Sequence, residues 1–288
     1  MFEFEEFNAS PQAVLFVSGT YVTLVAAGCC INVVFFIRSL RNRINWKELQ
    51  SRVMARACSP ADGFALLFLW IILRALQDSL TLTIGPDSDP TPLIAWVLSF
   101  SLVTELGVVL AALILVRLRH GDTQAGLGTG VMPPQRAALW ALAFYLGAIP
   151  VFLASAQIWG LFLTALDIKI TEQEVVRQFM GMENRGLQTA FIVLAVAGAP
   201  ITEELVFRGV FLPTLTRRLG MWHAAAAVSL IFALVHTHLP TLLPLFVISF
   251  AFSLGYILTG SILVPIFMHA LFNGVSLACV IMLRVLSP

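Results

Sequence analysis

Apolar residues fill the chain in long blocks, which are separated by short polar stretches rich in Pro, Gly and charge. A membrane-spanning helix needs roughly 20 apolar residues, and the alternating segments of about ten residues that mark membrane strands are absent. The blocks therefore predict an all-α, polytopic integral membrane bundle of about eight transmembrane helices. The predicted spans are 13–37, 63–84, 93–116, 137–166, 187–216, 222–239, 242–258 and 262–286.

The composition agrees with this interpretation. The 288 residues are 59% hydrophobic and 11% charged, whereas an average soluble domain is about 25% charged. A formal net charge of +1 leaves no basic surface for a nucleic-acid partner, so the lipid bilayer is the expected environment. We interpret residues 1–288 as a single membrane domain. Its N-terminal variable helices (1–185) precede a helical core (186–280) that contains the candidate catalytic residues.

Basic residues indicate the orientation, because Lys and Arg concentrate in cytoplasmic loops. The acidic turn at 85–92 is then expected outside, and the long segment 167–186 is the longest outer loop. The basic residues that share the predicted cytoplasmic side are Arg38, Arg41, Arg43, Lys47, Arg52, Arg56, Arg117, Arg119, Arg136, Arg217 and Arg218.

Several polar residues fall at the depth of the bilayer. Glu203 precedes Arg217 by 14 residues, which places it about 21 Å from the cytoplasmic end of its helix. His236 is predicted equally deep in the next helix, and His269 and Asn273 roughly 12 to 18 Å deep in the last one. Ionisable residues at such depth face the bundle interior and are functional by default. We therefore expect these side chains to line one cavity.

Spacing separates the two adjacent carboxylates. Glu204 and Arg208 are four residues apart on one helix face and are predicted to pair. Glu203 points about 100° away from that pair, which leaves it available for chemistry. Pro200 lacks a backbone N–H, so it should free the carbonyl of Val196 and kink the helix just before the carboxylates.

Two further spacings complete the candidate chemistry. Phe232 lies one turn before His236 and can pack beneath its ring, and His269 and Asn273 share a helix face. Together with Glu203, these residues offer a base for water and donors for a developing oxyanion, which peptide hydrolysis requires. Arg74 and Glu105 are predicted at similar depth and are expected to pair across the bundle as architectural residues.

The strings EExxxR (Glu203 to Arg208), FxxxH (Phe232 to His236) and HxxxN (His269 to Asn273) resemble the CPBP intramembrane proteases, which include CAAX prenyl endopeptidases and bacteriocin-processing and immunity proteins. The resemblance covers roughly residues 186 to 280 and implies an all-helical membrane endopeptidase. The residues that it implies for the catalytic site are Glu203, Glu204, Arg208, His236, His269 and Asn273.

The resemblance also implies a division of roles. Glu203 and His236 would activate the attacking water, and His269 and Asn273 would stabilise the oxyanion. Glu204, with Arg208, would hold the helix. The substrate would be a membrane-tethered or membrane-inserted protein or peptide, processed in CAAX fashion or as a peptide precursor. The expected location is a bacterial cell membrane, with the site open to the cytoplasmic side.

The need for a metal stays open at this point. Glu203, His236 and His269 could bind a divalent ion such as zinc, which commonly keeps three protein ligands and one water in catalytic sites. A metal-free glutamate mechanism would use the same residues.

Two other function classes compete with proteolysis. A transporter or channel could use the polar cluster as an ion path, although such proteins often repeat broken helices in both halves and the cluster here lies in the second half. A non-catalytic immunity or scaffold protein could also retain this fold. The HExxH string of zinc metalloproteases does not occur in the chain.

Overall fold

The computed structural model describes residues 10–81 and 91–286, and this part of the chain is helical without β-strands. Its helices, numbered in chain order, are α1 (Pro11–Arg41), α2 (Trp46–Met54), α3 (Pro60–Thr81), α4 (Thr91–His120), α5 (Thr123–Leu127), α6 (Pro134–Ala165), α7 (Glu174–Gly181), α8 (Arg185–Leu219), α9 (Met221–Val235), α10 (Leu242–Thr259) and α11 (Leu263–Leu286). The predicted end of the second span at 82–84 and the acidic residues 85–90 lie outside the described residues.

The described helices confirm an all-α, multi-pass membrane protein. Seven of them are long and apolar enough to cross a membrane: α1, α3, α4, α6, α8, α10 and α11. The predicted number was about eight, and the difference is α9. This apolar helix has 15 residues and is about 22 Å long, which is shorter than the hydrocarbon core of about 30 Å.

The end of α9 corrects the predicted span 222–239. His236 is the C-terminal cap, with φ −78° and ψ −8°, so it terminates the helix instead of lying within it. Thr237 has φ 51°, a left-handed conformation that an α-helix cannot continue through. A short 3₁₀ turn, Leu239–Thr241, then leads into α10.

Helix α8 runs continuously through both carboxylates, but its hydrogen-bond register changes twice. Two π-helical segments, Leu194–Gly198 and Leu205–Phe211, flank the α-helical turn Ala199–Glu204. A proline follows each π segment closely, Pro200 after the first and Pro213 after the second. π segments inside α-helices occur frequently at functional sites, and these two enclose the candidate catalytic turn.

The first π segment changes the expected effect of Pro200. The Ala199 N–H donates to the carbonyl of Leu194, and Pro200 has no N–H to donate. The carbonyl that faces the proline is therefore that of Ala195 in the π register, instead of that of Val196 as an α-helix predicts. This carbonyl needs a donor from outside α8.

The N-terminal helices pack on the core of residues 186–280 from two sides. On one side α6 packs against α10 and α11, and α1 packs on α6, where a Cβ at Gly28 would come within 2.2 Å of the Leu146 carbonyl oxygen. Close by, the Asn32 amide donates to the carbonyl of Gly147 at 2.9 Å. On the other side, α3 and α4 pack against α8 around the buried rings of Trp70 and Phe207.

Two basic residues of the predicted cytoplasmic loop fasten the end of α10. Arg52 donates to the carbonyl of Ile257 at 2.7 Å. Arg56 donates to the Gly260 carbonyl at 2.5 Å and to the Tyr256 hydroxyl at 3.1 Å. The last carbonyls of a helix lack internal donors and carry partial negative charge. These two arginines therefore stabilise the C-terminus of α10 in addition to any effect on orientation.

The packing around this helix end allows the effects of substituting two glycines to be predicted and compared. Gly121 and Gly128 both have φ 73°. A Cβ at Gly121 would meet nothing within 4 Å, but one at Gly128 would lie 2.1 Å from the Gly260 carbonyl oxygen and 2.6 Å from the Arg56 guanidinium.

We expect Gly121→Ala to cost about 1 to 2 kcal/mol, the penalty of a left-handed alanine. Gly128→Ala should cost clearly more, because it also displaces the Arg56–Gly260 contact. Unfolding of both purified variants in the same detergent measures the difference. Equal losses of stability would contradict the contact described here.

Candidate active site

A buried ion pair anchors the site. Glu204 Oε1 and Arg208 Nη1 lie 2.9 Å apart, and both side chains are fully buried. Arg208 also donates through Nε to the Ser253 hydroxyl at 3.3 Å, and through Nη2 to the carbonyl and hydroxyl oxygens of Ser249 at 2.6 Å each. The pair predicted from the i,i+4 spacing is present. The two serines of α10 were missed, although polar residues four apart in an apolar span are a readable signal.

Aromatic rings enclose this pair. The guanidinium of Arg208 lies 5.0 Å from the ring centroid of Phe232 and 5.4 Å from that of Phe252, distances at which a cation and a π face attract. The same two rings contact His269, Phe252 by stacking at 5.1 Å and Phe232 edge-on at 5.7 Å. Helices α8, α9, α10 and α11 are thus joined around one polar centre.

His269 connects the two carboxylates. Its Nδ1 lies 2.9 Å from Glu204 Oε1, and its Nε2 lies 3.9 Å from Glu203 Oε2. The hydrogen-bond network assigns the Nδ1 proton to the bond with Glu204, so Nε2 is the atom that faces Glu203. Sequence spacing predicted a common depth for these residues. It gave no indication that Glu204 would bind the His269 imidazole in addition to the Arg208 guanidinium.

His236 stands at the end of α9 with a fixed tautomer. Its Nδ1 lies 2.7 Å from the carbonyl oxygen of Phe232, and its ring packs on the Phe232 ring at 4.7 Å. The packing predicted for the FxxxH spacing is therefore present. Because Nδ1 donates to the carbonyl, the lone pair of Nε2 is available as a base or acceptor.

Asn273 supplies the donor that the π segment of α8 needs. Its Nδ2 donates to the Ala195 carbonyl at 2.7 Å, and this is the carbonyl that faces Pro200. An amide NH₂ group carries two donors, so this bond uses one of them. Asn273 thus holds α11 against α8 two turns before the carboxylates.

Asn273→Leu should destabilise the protein by about 1 to 3 kcal/mol, the cost of leaving a buried polar group unpaired. Asn32→Leu is the control, because Asn32 also donates one interhelical bond to a backbone carbonyl, that of Gly147 in α6. Unfolding in detergent should show comparable losses for both variants. We expect peptide cleavage to fall only in Asn273→Leu, and full stability of that variant would contradict the proposed contact.

Glu203 is held less tightly than its neighbour, because its ion-pair contact with His269 is 3.9 Å long, whereas those of Glu204 are 2.9 Å. Its side chain is only 7% exposed, and Oε2 makes no hydrogen bond to any residue that the structure describes. Arg74 of α3 and Glu105 of α4 line a small cavity together with Glu203. The expected Arg74–Glu105 pairing is not complete, since Glu105 Oε2 is buried and also makes no hydrogen bond within the described ranges.

The predicted metal ligands do not assemble into a metal site. Among residues 10–81 and 91–286, no group of three or more His, Cys, Asp or Glu side chains is arranged to hold a metal ion. His269 engages Nδ1 with Glu204 and His236 engages Nδ1 with a backbone carbonyl, so Nε2 is the ring atom of each that carries no hydrogen bond to the described residues.

The turn after His236 contacts both the end of α6 and the predicted outer loop. Trp159 Nε1 donates to the Leu239 carbonyl at 2.8 Å, and Gln173 Nε2 donates to the Thr241 hydroxyl at 3.1 Å. His238 contacts the same hydroxyl through Nδ1 at 3.0 Å, and burial lowers the pKa of its imidazole. These contacts are those of a residue that shapes the turn.

Comparisons with known proteins cover the segment that carries this site. Residues 185–275 match the family model of the Type II CAAX prenyl endopeptidase Rce1-like proteins. The "Putative membrane peptidase YdiL" of Bacillus subtilis (strain 168) is 37% identical over 82 residues, which are 28% of this chain and 33% of that protein. The match thus spans about a third of that relative. No solved structure matches the chain.

The fold gives the class of protein, and the matched segment gives its likeness. The chain is an all-α multi-pass membrane protein, and its residues 185–275 are similar to the Rce1-like CAAX prenyl endopeptidases. This segment includes all of α8, α9 and α10, and the part of α11 that carries His269 and Asn273.

Proposed function

We propose that this protein is an intramembrane endopeptidase, which hydrolyses a peptide bond of a membrane-associated protein or peptide with water activated by Glu203. The observation that carries the proposal is the contrast between the two carboxylates. Glu204 Oε1 is held by Arg208 and His269, each at 2.9 Å, whereas the ion-pair contact of Glu203 with the described residues is the looser one of Oε2 with His269 Nε2 at 3.9 Å. A loosely held carboxylate at this depth is costly and is expected to serve a function.

Peptide hydrolysis requires a base, a water and donors for the oxyanion. In the proposed reaction, Glu203 takes a proton from water while the water oxygen attacks the scissile carbonyl, and Nε2 of His236 accepts a hydrogen bond from the same water. The carbonyl oxygen becomes an oxyanion. Breakdown of the tetrahedral intermediate cleaves the C–N bond, and the proton held by Glu203 passes to the leaving amine.

The oxyanion would be stabilised from α11. In this proposal His269 is an imidazolium, whose Nδ1–H donates to Glu204 and whose Nε2–H donates to the oxyanion. Glu204 stabilises its positive charge. The second N–H of the Asn273 amide is the other proposed donor. Arg208 acts indirectly, since its bonds to Glu204 and to α10 keep the carboxylate in place under the imidazole.

An apolar groove beside the site supports a membrane-associated substrate. The groove has a volume of about 910 Å³ and lies between α6 and α11, with Val196 of α8 at its inner wall and Gly274 next to Asn273. An apolar segment or lipid-modified end could follow this groove to the site without leaving the bilayer. CAAX-type substrates and peptide precursors both have this character, and we propose entry from the cytoplasmic side of a bacterial cell membrane.

A cleavage assay with isotopic water tests the proposal. The purified protein is reconstituted in liposomes with membrane-anchored peptides of varied sequence, and the products are identified by mass spectrometry in H₂¹⁸O. Hydrolysis by an activated water predicts one ¹⁸O in the new carboxyl group. A parallel reaction with a chelator tests the need for a metal. Absence of any product from folded protein across the peptide set would overturn the proposal.

A further inference from the structure

The cavity beside Glu203 is a second polar feature of the site. Its volume is about 10 Å³, at the lower end of the roughly 10 to 15 Å³ that one water molecule needs. It is bounded by α3, α4 and α8, whereas His269 reaches Glu203 from α11. The polar side chains that line it are Arg74, Gln77, Thr104, Glu105, Thr202 and Glu203.

Two of these side chains bring buried oxygens without partners. Glu203 is 5% exposed, and the Oε2 atoms of Glu203 and Glu105 are both inaccessible and make no hydrogen bond in the described part of the chain. Buried polar groups nearly always have a partner, and an internal water typically makes about three hydrogen bonds to groups of this kind. The cavity has both the volume and the acceptors for such a molecule.

Glu105 reaches the cavity because α8 carries a glycine at the contact. A Cβ at Gly198 would lie 2.1 Å from Glu105 Oε2, so any larger residue would displace the carboxylate. Gly198 is the last residue of the first π segment, and it precedes Glu203 by five residues. The helix that presents Glu203 therefore also makes room for a carboxylate from α4.

We propose that this cavity binds one water molecule between Glu105 and Glu203, and that Glu105 is a positioning residue that orients the Glu203 carboxylate through this water. The inference rests on the proposed function of Glu203 as the base. Charged or titratable groups face Glu203 from four elements: Arg74 of α3, Glu105 of α4, His236 at the end of α9 and His269 of α11. Two nearby carboxylates disfavour each other's charged form, so the charge of Glu105 affects that of Glu203. The water between them connects the two carboxylates by hydrogen bonds.

Three variants test the inference in the peptide-cleavage assay. Glu105→Gln keeps the shape but removes the charge, and Glu105→Leu removes both the charge and the contact with water. We expect kcat to fall about 10-fold in the first and up to about 100-fold in the second, the range for misplacement of a reacting group, with KM unchanged. In Glu105→Gln the acid limb of the profile of kcat/KM against pH should move to lower pH. Gly198→Ala should reproduce the loss of kcat by crowding Glu105.

Asp62→Asn is the control, because Asp62 pairs with Arg119 at the end of the bundle at 2.7 Å, away from the cavity. It should leave kcat and the pH profile as in the wild type. The inference is overturned if both Glu105 variants keep the wild-type kcat and pH profile while Glu203→Gln is inactive, an outcome that leaves the proposed function intact. Full activity of Glu203→Gln would overturn both. A wild-type structure at high resolution is the independent measurement, in which density for a water between the two carboxylates is expected and a dry cavity overturns the inference.

Discussion

Replacement of Glu203 with glutamine is expected to lower kcat/KM for peptide cleavage by about 10² to 10⁴-fold, the usual contribution of a general base. The variant keeps the size and shape of the side chain but cannot accept a proton from water. Its stability should stay at the wild-type level or rise, because Glu203 Oε2 makes no hydrogen bond to the described residues and burial of a charge without a partner is unfavourable. Initial rates with the membrane-anchored peptide and thermal unfolding in the same detergent measure the two quantities.

This prediction holds only if kcat/KM falls while the stability of the protein does not. A folded Glu203→Gln protein with wild-type turnover would remove Glu203 as the base, and with it the proposed reaction. Loss of both activity and stability would indicate that Glu203 is instead part of the structural network of Glu204.

The matched change at the next residue, Glu204→Gln, should act mainly on stability. Arg208 is completely buried, and Glu204 supplies the carboxylate of its ion pair at 2.9 Å. Removal of one partner from a buried pair costs about 3 to 5 kcal/mol, since the other charge is left uncompensated. The acceptor for His269 Nδ1 would become an uncharged amide oxygen, which stabilises an imidazolium less, so activity should also fall. Chemical unfolding in detergent measures the free energy.

The double variant Glu204→Gln, Arg208→Met controls for the charge. A hydrophobic replacement of a buried ion pair is often close to neutral in stability, so the second change should recover much of the loss, whereas activity should stay low. If Glu204→Gln unfolds at the wild-type temperature, Glu204 does not stabilise Arg208 and the division of work between the two carboxylates is wrong.

Helical periodicity was sufficient for the contacts within a single helix. The Glu204–Arg208 pair and the packing of Phe232 on His236 both follow from a spacing of four residues, and both are present. Block length predicted the all-α membrane fold, with spans whose described ends agree within four residues. At α9 this difference matters most, because the left-handed backbone of Thr237 ends the helix just after His236, which the prediction had placed within it.

Contacts between helices were beyond the reach of the spacing argument. Depth along separate helices predicted that His269 and Glu203 would be level, but the rotation of α11 decides that Nδ1 bonds Glu204. The π register of α8 depends on where prolines and interhelical donors meet, as Asn273 and Ala195 do. Glu105 was predicted to pair with Arg74 because the two residues lie at similar depth. Its contact with Gly198 was not predicted, since it involves the backbone of a helix nearly a hundred residues away.

The short α9 makes the thickness of the surrounding bilayer part of the environment of the site. The helix ends at Val235, with Leu234 and Leu239 exposed on that side, so its apolar length falls about 8 Å short of an ordinary hydrocarbon core. A membrane meets such a short span by local thinning, at a small cost for each ångström of mismatch. Lipids with shorter acyl chains therefore reduce this cost at the helix end that carries His236. Acyl chain length thus becomes a physical variable that acts on a proposed catalytic residue without touching it.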